Sequence, residues 1–435
     1  MFEPVNSRVD FPKLEERILA LWKEKNAFER SVAARKGGPR FTLYEGPPTA
    51  NGNPGIHHVL ARVFKDVIPR YKVMKGYYAP RIAGWDTHGL PVELEVERKL
   101  GISSKPQIEQ YGIARFNSEC RDSVFSYLKT WEAMTERIGF WVDMEHPYVT
   151  MDNQYMETCW WLIKQLWDRG LIYQGYKVTP HCPRCGTSLS SHEVALGYQE
   201  DTEDPSVYVK FRVLKSRWPG FVAELRETHR ASFAQRLLEL VRDNDMYLLA
   251  WTTTPWTLPG NSALAVSPDA EYAVVQVNSE YLILASERLK PVGLGDTPVV
   301  LRCKGWDLTD FKYEPLFNPS EFGISSTRML IRPSDTVMEQ PGVYPVIAES
   351  FVSMEDGTGI VHVAPAYGEV DYDAGRAHQL ELVHPVNLEG RIIGTYPFSG
   401  KFVKDADKDI IADLESRGLL YRSERIRHTY PFCWR

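Results

Sequence analysis

The chain of 435 residues is too long for one compact core, so two or three domains are expected. Charged residues make up 25% of the chain and hydrophobic residues 43%, which excludes a disordered protein. The formal net charge of −6 leaves no basic excess, so a nucleic-acid partner would have to meet local basic patches.

The N-terminal stretch and the cysteine content indicate the compartment. The first residues lack a cationic segment followed by an apolar run, and no apolar run approaches the ~20 residues of a membrane span. Six cysteines are few for this length and suit a reducing compartment. The sequence therefore predicts a soluble cytoplasmic protein without a membrane partner.

The first third of the chain alternates between helical and extended patterns. Residues 12–29 carry apolar side chains at the spacing of one helix face, and "RFTLYEG" is typical of a strand that ends at the following prolines. A helix is predicted from His57, kinked or ended near Pro69. Strand, glycine-rich turn and helix form the opening unit of a nucleotide-binding α/β fold.

Two further helices are predicted over residues 114–138 and 152–169, and the pattern then changes to β-type runs. Residues 200–400 are interpreted as a mostly β domain, with a hairpin closed at Asn278 and a helical stretch in "WPGFVAELRETHRASFAQRLLELVRDND". Near the end, "KDIIADLESRGLLYRSE" predicts a helix, a glycine stop and the start of a strand.

The stretch "YEGPPTANGNPGIHHVLARVFKD", residues 44–66, places two adjacent histidines at a glycine-rich turn before a helix. Glycines at 46, 52 and 55 let the backbone approach a ligand, and the helix N-terminus offers N–H groups to an anion. His57 and His58 would then donate to phosphate oxygens in a reaction that builds negative charge there. The alternative is a proline-rich loop with a histidine helix cap.

A second loop, "GWDTHGLPVE", places Asp86 between glycines immediately before a helix. A carboxylate there could hold the ammonium group of a ligand. A helix cap or an ordinary surface carboxylate is the alternative.

Together, "YEGPPTANG" and "GWDTHGLPVE" resemble the isoleucyl-tRNA synthetases, class I enzymes that activate isoleucine with ATP and load it onto tRNA. The resemblance runs from about residue 10 to the last residue. It implies that residues 55–58 occupy the "HIGH" signature, with histidine and glycine exchanged at its first and third positions. By the same resemblance His57 and His58 are catalytic and contact ATP, bound with Mg²⁺. Gly46, Pro47 and Asp86 would cradle the aminoacyl-adenylate, and Asp86 would take the amino group.

Two stretches of the β region, "LAWTTTPWTLPGN" and "GTGIVHVAPAYGEVDYD", resemble the editing domain of the isoleucine, valine and leucine synthetases. Taken alone, a threonine run is common at any strand end. One methylene separates valine from isoleucine, which a single site discriminates poorly, so a second site that hydrolyses the smaller product is needed. The resemblance assigns the pocket lining to four residues, namely Thr252, Thr253, Thr254 and Trp256. It also implies that Asp371 grips the amino group of misattached valine and that His362 excludes isoleucine or contacts the substrate.

The segment "HCPRCG" contains a C-x2-C turn typical of zinc knuckles, and Cys433 offers a third sulfur to Cys182 and Cys185. The family pattern implies a fourth cysteine at the residue after Arg435, so a structural Zn²⁺ site is expected to be incomplete here. His181 or water would fill the fourth position. A redox or purely structural role for the cysteines is the alternative.

The resemblance implies an α/β fold, the first half of a Rossmann-type class I synthetase catalytic domain with a mostly β inserted editing domain. Four parts are expected. Residues 1–180 hold the N-terminal helix and the first part of the catalytic domain, and residues 181–200 form the zinc-knuckle connector. Residues 201–395 form the editing domain, and residues 396–435 form the return connector with the incomplete second knuckle.

No "KMSKS" loop occurs in the chain, so the sequence reads as the N-terminal portion of an isoleucine–tRNA ligase. The implied partners are isoleucine, ATP and the tRNA for isoleucine, and the full-length enzyme is expected to be a monomer. A stand-alone hydrolase that edits valyl-tRNA and a non-catalytic partner of a separately encoded remainder are the alternatives.

Overall fold

The computed structural model describes residues 8–46, 48, 52–195, 197–214, 236–237, 239–240, 244–309, 311–329 and 344–433. These residues divide into two compact units, the first up to Gly175 and the second from Tyr176 onward. None of the helices in this described part of the chain has the length and apolarity that a membrane span requires.

The first unit is built around a small parallel sheet. Its strands are β1 (Leu43–Tyr44), β2 (Arg81–Trp85) and β3 (Asp143–Val149), paired in parallel in that order. Its helices are α1 (Phe11–Glu24), α2 (Ala27–Ala33), α3 (Ile56–Met74), α4 (Leu90–Leu100), α5 (Lys105–Tyr111), α6 (Ile113–Arg137) and α7 (Asn153–Asp168). Parallel strands require helical crossovers, and α3 and α4 to α6 provide them. The expected α/β architecture is therefore confirmed for this unit.

Two details of this unit differ from the predictions. The single helix predicted over residues 12–29 is two helices, because Asn26 adopts a left-handed φ of 44° that an α-helix cannot contain. Of the two alternatives for the helix that begins at the histidine turn, an end near Pro69 is wrong, because the helix continues to Met74. Pro69 is buried, and burial of a helix face can outweigh the single hydrogen bond that a proline removes. The helices predicted over 114–138 and 152–169 are confirmed as α6 and α7.

The second unit is dominated by strands. These are β4 (His181–Cys182), β5 (Thr187–Ser188), β6 (Tyr198–Arg212), β7 (Asp245–Thr252), β8 (Ala263–Val266), β9 (Glu271–Val277), β10 (Glu280–Ala285), β11 (Val299–Lys304), β12 (Lys312–Tyr313), β13 (Ser326–Arg328), β14 (Tyr344–Ala348), β15 (Ile360–Val363), β16 (Glu381–Val383) and β17 (Leu420–Pro431). The α-helices are α8 (Ser191–Ala195), α9 (Glu369–Ala377) and α10 (Val403–Ser416). Short 3-10 helices cover Pro255–Gly260, Ser286–Arg288, Gly305–Leu308 and Pro319–Phe322.

Ten of these strands form one sheet, in the order β11-β9-β10-β7-β15-β8-β14-β12, while β6 joins β7 to β17. Consecutive residues of β7 enter different apolar clusters, Leu248 on one face of the sheet and Leu249 on the other. A strand covered on both faces reads as an unbroken apolar run, which is why the sequence of this strand does not alternate.

The predicted hairpin is confirmed, since β9 and β10 pair antiparallel across Asn278, whose φ is 54°. The predicted helix, glycine stop and strand near the end are confirmed as α10, Gly418 and β17. The helix predicted within residues 218–245 lies almost entirely outside the described residues.

Candidate functional sites

The carboxyl edge of the parallel sheet gathers the first set of expected site residues. Gly46 follows β1, Asp86 follows β2 and Thr150 follows β3. The backbone N–H of Asp86 donates to the carbonyl oxygen of Pro48 at 3.1 Å, which ties the two glycine-containing loops together. Pro47, expected to help cradle the adenylate, lies outside the described residues. Ligands of open α/β sheets bind at this edge, so the placement of Gly46 and Asp86 agrees with a binding role.

A pair of buried threonines holds the Asp86 loop in place. The N–H of Thr87 donates to Thr150 Oγ1 at 3.0 Å, and the N–H of Met151 donates to Thr87 Oγ1 at 3.0 Å. Thr150 Oγ1 also lies 3.1 Å from His88 Nδ1. A cavity of about 430 Å³ opens beside these residues and is also lined by Val92, Arg121 and Tyr155. Sequence reasoning missed Thr150, because nothing in its local pattern distinguishes it from any strand-end threonine.

The histidine turn begins α3 with a hydrogen bond that fixes one imidazole. Gly55 is the N-cap residue, and its backbone N–H donates to His58 Nδ1 at 2.9 Å. Burial and the neighbouring His57 lower the pKa of His58. A neutral ring that accepts at Nδ1 must carry its proton at Nε2. His58 therefore presents an Nε2–H donor beside the positive end of the helix.

The glycine at position 55 and the histidine at position 57 are sterically linked. A Cβ added to Gly55 would lie 2.8 Å from His57 Cε1, closer than real contacts allow. The rings of His57 and His58 are in contact, with centroids 3.8 Å apart and planes tilted by 43°. The His57 ring thus fills the space that a side chain at position 55 would occupy.

Trp131 of α6 braces this turn from a distant part of the chain. Its Nε1–H donates to the carbonyl oxygen of Gly52 at 2.8 Å, and its ring meets His58 edge-on at 4.6 Å. The guanidinium of Arg62 lies 5.0 Å from the centroid of the same ring. Trp131 was not predicted as a site residue, because at helical spacing it is indistinguishable from a core tryptophan.

In the second unit, the three-threonine stretch ends β7 and opens a 3-10 helix. Thr252 is the last residue of β7, and Thr254 is the N-cap residue of Pro255–Gly260. Thr254 Oγ1 lies 3.3 Å from Thr252 Oγ1 and 3.3 Å from Thr257 Oγ1, so three hydroxyls form one cluster. Thr253 is half-buried between them in the chain. Thr257 was not singled out from the sequence.

His362 connects this hydroxyl cluster to the core of the sheet. Its Nδ1 accepts from Asn261 Nδ2 at 2.9 Å, and its Nε2 lies 2.9 Å from Thr257 Oγ1. The hydroxyl of Thr257 donates to the carbonyl oxygen of Thr254 at 2.8 Å, so His362 Nε2–H is the donor to Thr257. Burial lowers the pKa of His362 to about 4, which keeps the ring neutral.

The chain of hydrogen bonds extends one step further to a buried tyrosine. Tyr313 Oη–H donates to Asn261 Oδ1 at 2.6 Å, and burial raises the pKa of Tyr313 well above its usual value. Asn261 is thereby oriented with its amide nitrogen toward His362. Neither Asn261 nor Tyr313 was predicted as a site residue, because their partners lie far away in sequence.

Asp371 lies in the first turn of α9 and touches the end of the strand that carries His362. Its Oδ2 accepts the backbone N–H of Ala364 at 2.9 Å. Burial raises the pKa of Asp371. The remaining oxygen, Oδ1, is the atom that could accept an ammonium group.

Trp256 packs edge-on against Tyr367, with ring centroids 4.9 Å apart. A Cβ on Gly260 would lie 2.7 Å from Tyr367 Cε2, so glycine permits this close packing. Trp256 Nε1 and Tyr367 Oη are buried and have no hydrogen-bond partner among the described residues. Two buried polar atoms without partners, on rings that touch, are candidates for hydrogen bonds to a ligand.

Three cysteines converge beside the β4–β5 hairpin. The sulfurs of Cys182, Cys185 and Cys433 all lie within 4.8 Å of one another, and the last two are 4.0 Å apart. The N–H of Cys185 points at Cys182 Sγ at 3.4 Å. Tetrahedral Zn²⁺ with bonds near 2.3 Å separates its sulfurs by about 3.8 Å, so this set fits zinc.

The third sulfur is positioned by a close backbone approach. Phe432 donates its N–H to the carbonyl oxygen of Gly197 at 2.9 Å, and a Cβ on Gly197 would lie 2.0 Å from the Phe432 oxygen. Burial and the two neighbouring cysteines raise the pKa of the Cys185 thiol. His181, expected as a substitute fourth ligand, has its Nε2 2.8 Å from the carbonyl oxygen of Leu388 instead. No fourth ligand joins the three cysteines within the described ranges.

Comparison with known proteins identifies relatives along the entire chain. Residues 17–366 match the family described as tRNA synthetases class I (I, L, M and V). An isoleucine–tRNA ligase from Dehalococcoides mccartyi is 59% identical over all 435 residues, which correspond to 42% of that protein. One from Thermus thermophilus is 50% identical over 436 aligned residues, again covering this whole chain and 38% of that protein. The chain thus spans about two fifths of the length of these relatives.

Solved structures with some likeness include one described as GlLeuRS-CP1, 16% identical with a TM-score of 0.38, covering 50% of this chain and 96% of that one. The P. knowlesi cytosolic leucyl-tRNA synthetase editing domain is 10% identical with a TM-score of 0.33, covering 53% of this chain and 97% of that one.

Proposed function

Because the chain belongs to the class I tRNA synthetases of the isoleucine, leucine, methionine and valine group, we propose that it is the first part of an isoleucine–tRNA ligase. In this proposal it combines the start of the adenylation site with a site that hydrolyses misattached valine. Its substrates are ATP as the Mg²⁺ complex, isoleucine and the tRNA for isoleucine. The compartment is the cytoplasm, and the full-length enzyme acts as a monomer.

The histidine turn supports the adenylation half of the proposal. His58 offers Nε2–H, and the first turn of α3 adds backbone N–H groups for phosphate oxygens. The resemblance expects an imidazole at position 55, where this chain has glycine, and the His57 ring occupies the adjoining space. His57 therefore serves as the counterpart of the absent first imidazole. Gly46, Pro47 and Asp86 hold the adenylate, and Asp86 binds its amino group.

The relatives extend well beyond the aligned region, and the "KMSKS" loop expected of the family does not occur here. We propose that efficient adenylation requires residues equivalent to that further part. The same proposal divides the chain into four parts, with boundaries after residues 180, 200 and 395.

The editing function rests on one observation, the hydroxyl cluster of Thr252, Thr254 and Thr257 fixed by a neutral His362. Hydroxyls in defined orientations can bind the ester and position a water for attack on it, so no protein nucleophile is required. Thr253 and Trp256 line the same pocket, and Asp371 Oδ1 binds the amino group of valine. The side chain of His362 uses both nitrogens within the protein, so it limits substrate size through its carbon edge.

The test is the release of valine from valyl-tRNA that carries the isoleucine anticodon, with the 435-residue chain alone. We expect hydrolysis of valyl-tRNA and no hydrolysis of isoleucyl-tRNA. Equal hydrolysis of both would contradict the proposed selectivity. No hydrolysis by a chain shown to be folded by circular dichroism would contradict a self-sufficient editing site.

A structural zinc ion is proposed at Cys182, Cys185 and Cys433. When bound, it would supply a cross-link between the hairpin turn and the segment after β17, and it would turn the three thiols into thiolates. Three sulfurs lie within reach of one ion. This supports the zinc assignment over a redox role, because a disulfide needs only two sulfurs.

A second candidate function, as the partner of a separately encoded remainder, is favoured by exposed apolar helix faces. The exposed residues of α3 are Ile56, Leu60, Val63, Phe64, Val67, Ile68, Tyr71 and Met74, and those of α7 are Trp160, Trp161, Leu162, Ile163, Leu166 and Trp167. Apolar patches of this extent mark surfaces that other protein covers.

Mixing the chain with the portion of the Dehalococcoides mccartyi relative beyond the aligned residues separates the candidates. Isoleucine-dependent exchange between ATP and pyrophosphate that appears only in the mixture supports the partner role. Valine release by the chain alone, without any gain on mixing, supports the stand-alone hydrolase.

A further inference from the structure

A carboxylate from a distant helix contacts the backbone of the 3-10 helix that follows the three-threonine stretch. Asp407 of α10 is 3% exposed, and its Oδ1 accepts the backbone N–H of Trp256 at 2.9 Å. α10 packs against the 3-10 helix Pro255–Gly260 that carries Trp256. The two residues are 151 positions apart in the chain.

This contact performs the capping that the local N-cap residue does not perform. The first N–H groups of a helix lack intrahelical partners, and a threonine at the N-cap position ordinarily bonds one of them through its hydroxyl. Thr254 stands at that position but makes no such side-chain bond. Its hydroxyl faces Thr252 and Thr257 instead.

We propose that Asp407 is a positioning residue of the editing site, which caps the 3-10 helix from outside and so keeps the Thr254 hydroxyl in the substrate-facing cluster. The proposal rests on the editing function proposed above. Asp407 has no role in contacting substrate; it acts through the backbone at Trp256.

The surroundings of Asp407 indicate that the acceptor atom matters more than the charge. Burial and nearby Asp204 raise the pKa of Asp407 to about 7, against the opposing effects of Lys404 and the Trp256 N–H. Asp204 is itself paired with Lys404 Nζ at 2.7 Å and His428 Nε2 at 3.0 Å. A protonated Asp407 still has a carbonyl oxygen that can accept, so an amide should replace the carboxyl group.

The experiment compares Asp407→Asn and Asp407→Ala with Asp409→Ala. Asp409 is a half-buried carboxylate on the same helix as Asp407, and it pairs with Lys401 just before that helix. The readout is steady-state deacylation of valyl-tRNA by the full chain. We expect Asp407→Ala to lower kcat about tenfold or more with KM unchanged, since small displacements of positioned groups are costly. Asp407→Asn and Asp409→Ala should stay within about twofold of the parent.

A double-mutant cycle distinguishes positioning from simple stabilisation. Without the Asp407 acceptor, Thr254 is free to turn its hydroxyl to the helix N–H groups, as N-cap threonines do. Replacing Thr254 by Ala should then cost much less activity in the Asp407→Ala protein than in the parent. Additive losses would mean that Asp407 only stabilises the fold and would overturn the proposal.

Hydrogen exchange at the Trp256 amide provides a readout independent of activity. Exchange should accelerate in Asp407→Ala and remain slow in Asp407→Asn and Asp409→Ala. An unchanged exchange rate in Asp407→Ala overturns the proposal, as does an accelerated rate with a parental kcat. An inactive but folded parent chain would instead contradict the self-sufficient editing site proposed above, so the two failures are distinguishable.

Discussion

His362 Nε2 donates to Thr257 Oγ1 at 2.9 Å, although 105 positions separate the two residues. The bond is one step in a continuous series from Tyr313 through Asn261 and His362 to the carbonyl oxygen of Thr254. Every donor and acceptor in the series has one defined orientation. The hydroxyl of Thr257, in the 3-10 helix that follows β7, is therefore held by the core of the sheet and is not left to rotate.

The neutrality of His362 predicts a pH dependence of stability. The pKa of His362 is about 4 in the folded chain and 6.5 at its ordinary value, because burial disfavours the charged ring. Below pH 6.5 the unfolded chain takes up a proton that the folded chain does not. Stability is fully present above pH 6.5 and declines by about 3 kcal/mol as the pH falls to 4. Denaturant unfolding at a series of pH values measures this decline.

The matched variant for this measurement is His362→Gln, which keeps an amide in the network but does not titrate. Its free energy of unfolding should change less between pH 6.5 and 4 than that of the parent. Since burial also lowers the pKa of His384, some acid sensitivity persists in the variant. Identical pH profiles in the two proteins would show that His362 is not held neutral.

Tyr313→Phe should weaken both the fold and the threonine site. The change leaves Asn261 Oδ1 buried without its donor, which costs about 1–3 kcal/mol of unfolding free energy. Tyr396→Phe is the control, because the Tyr396 hydroxyl is buried with no partner among the described residues and its loss should be nearly neutral. Chemical denaturation provides the comparison, and equal effects of the two substitutions would contradict the series of hydrogen bonds.

Asp371→Ala should abolish valine release from valyl-tRNA while the chain remains folded. Asp371→Asn keeps an acceptor for the Ala364 N–H but loses the charge that binds the ammonium group, so it should also be inactive. Asp373→Ala, an exposed position on the same helix, should behave as the parent. Valine release by the asparagine variant at the parental rate would refute the charge-binding role.

Removal of any one cysteine of the triad should lower the zinc content of the purified chain. Cys185→Ser and Cys433→Ser each leave two sulfurs, which bind Zn²⁺ far more weakly than three. Cys159→Ser on α7 belongs to the first unit and should leave the zinc content unchanged. Elemental analysis after dialysis provides the measurement. A metal-free parent protein, purified with zinc in the medium, would argue against the site.

Gly55→Ala should displace the His57 ring, because the added Cβ would lie 2.8 Å from it. Overpacking of this kind costs about 1–3 kcal/mol of unfolding free energy. The displaced His57 ring should also weaken the binding of ATP, which a calorimetric titration measures. Gly52→Ala is the control, since no atom of the residues that the structure describes comes within 4 Å of its added Cβ, chain neighbours aside. The double variant that exchanges the two residues, Gly55→His with His57→Gly, should bind ATP as tightly as the parent. Failure of that exchange would contradict the equivalence of the two ring positions.

Local periodicity was sufficient for most elements. α6, α7 and the β9–β10 hairpin lie where the sequence predicts them, because apolar spacing and turn residues act over a few positions. The break at Asn26 was missed, since a left-handed asparagine leaves the apolar spacing on both sides intact. The sequence left open whether α3 ends near Pro69 or continues past it, because burial of that residue is a tertiary property.

The candidate sites likewise contain residues that the sequence selected and residues that only the structure revealed. The histidine turn, the threonine run and the cysteine pair are contiguous in sequence, so motifs and their resemblance to a family were enough to select them. Trp131 at the histidine turn and Tyr313 behind His362 were not selected, because each resembles an ordinary core aromatic until its hydrogen-bond partner is known.

The sequence by itself thus determined the longer helices, the β9–β10 hairpin, the α/β and β-rich regions, and the residue types that the sites contain. Only the tertiary structure decided the ionisation and orientation of those residues. His58 and His362 are neutral because of burial, and their tautomers follow from the groups that face them. The reason is physical: desolvation and hydrogen bonding depend on neighbours in space, and the neighbours that matter here, such as Asp407 beside Trp256, are 151 positions away in the chain.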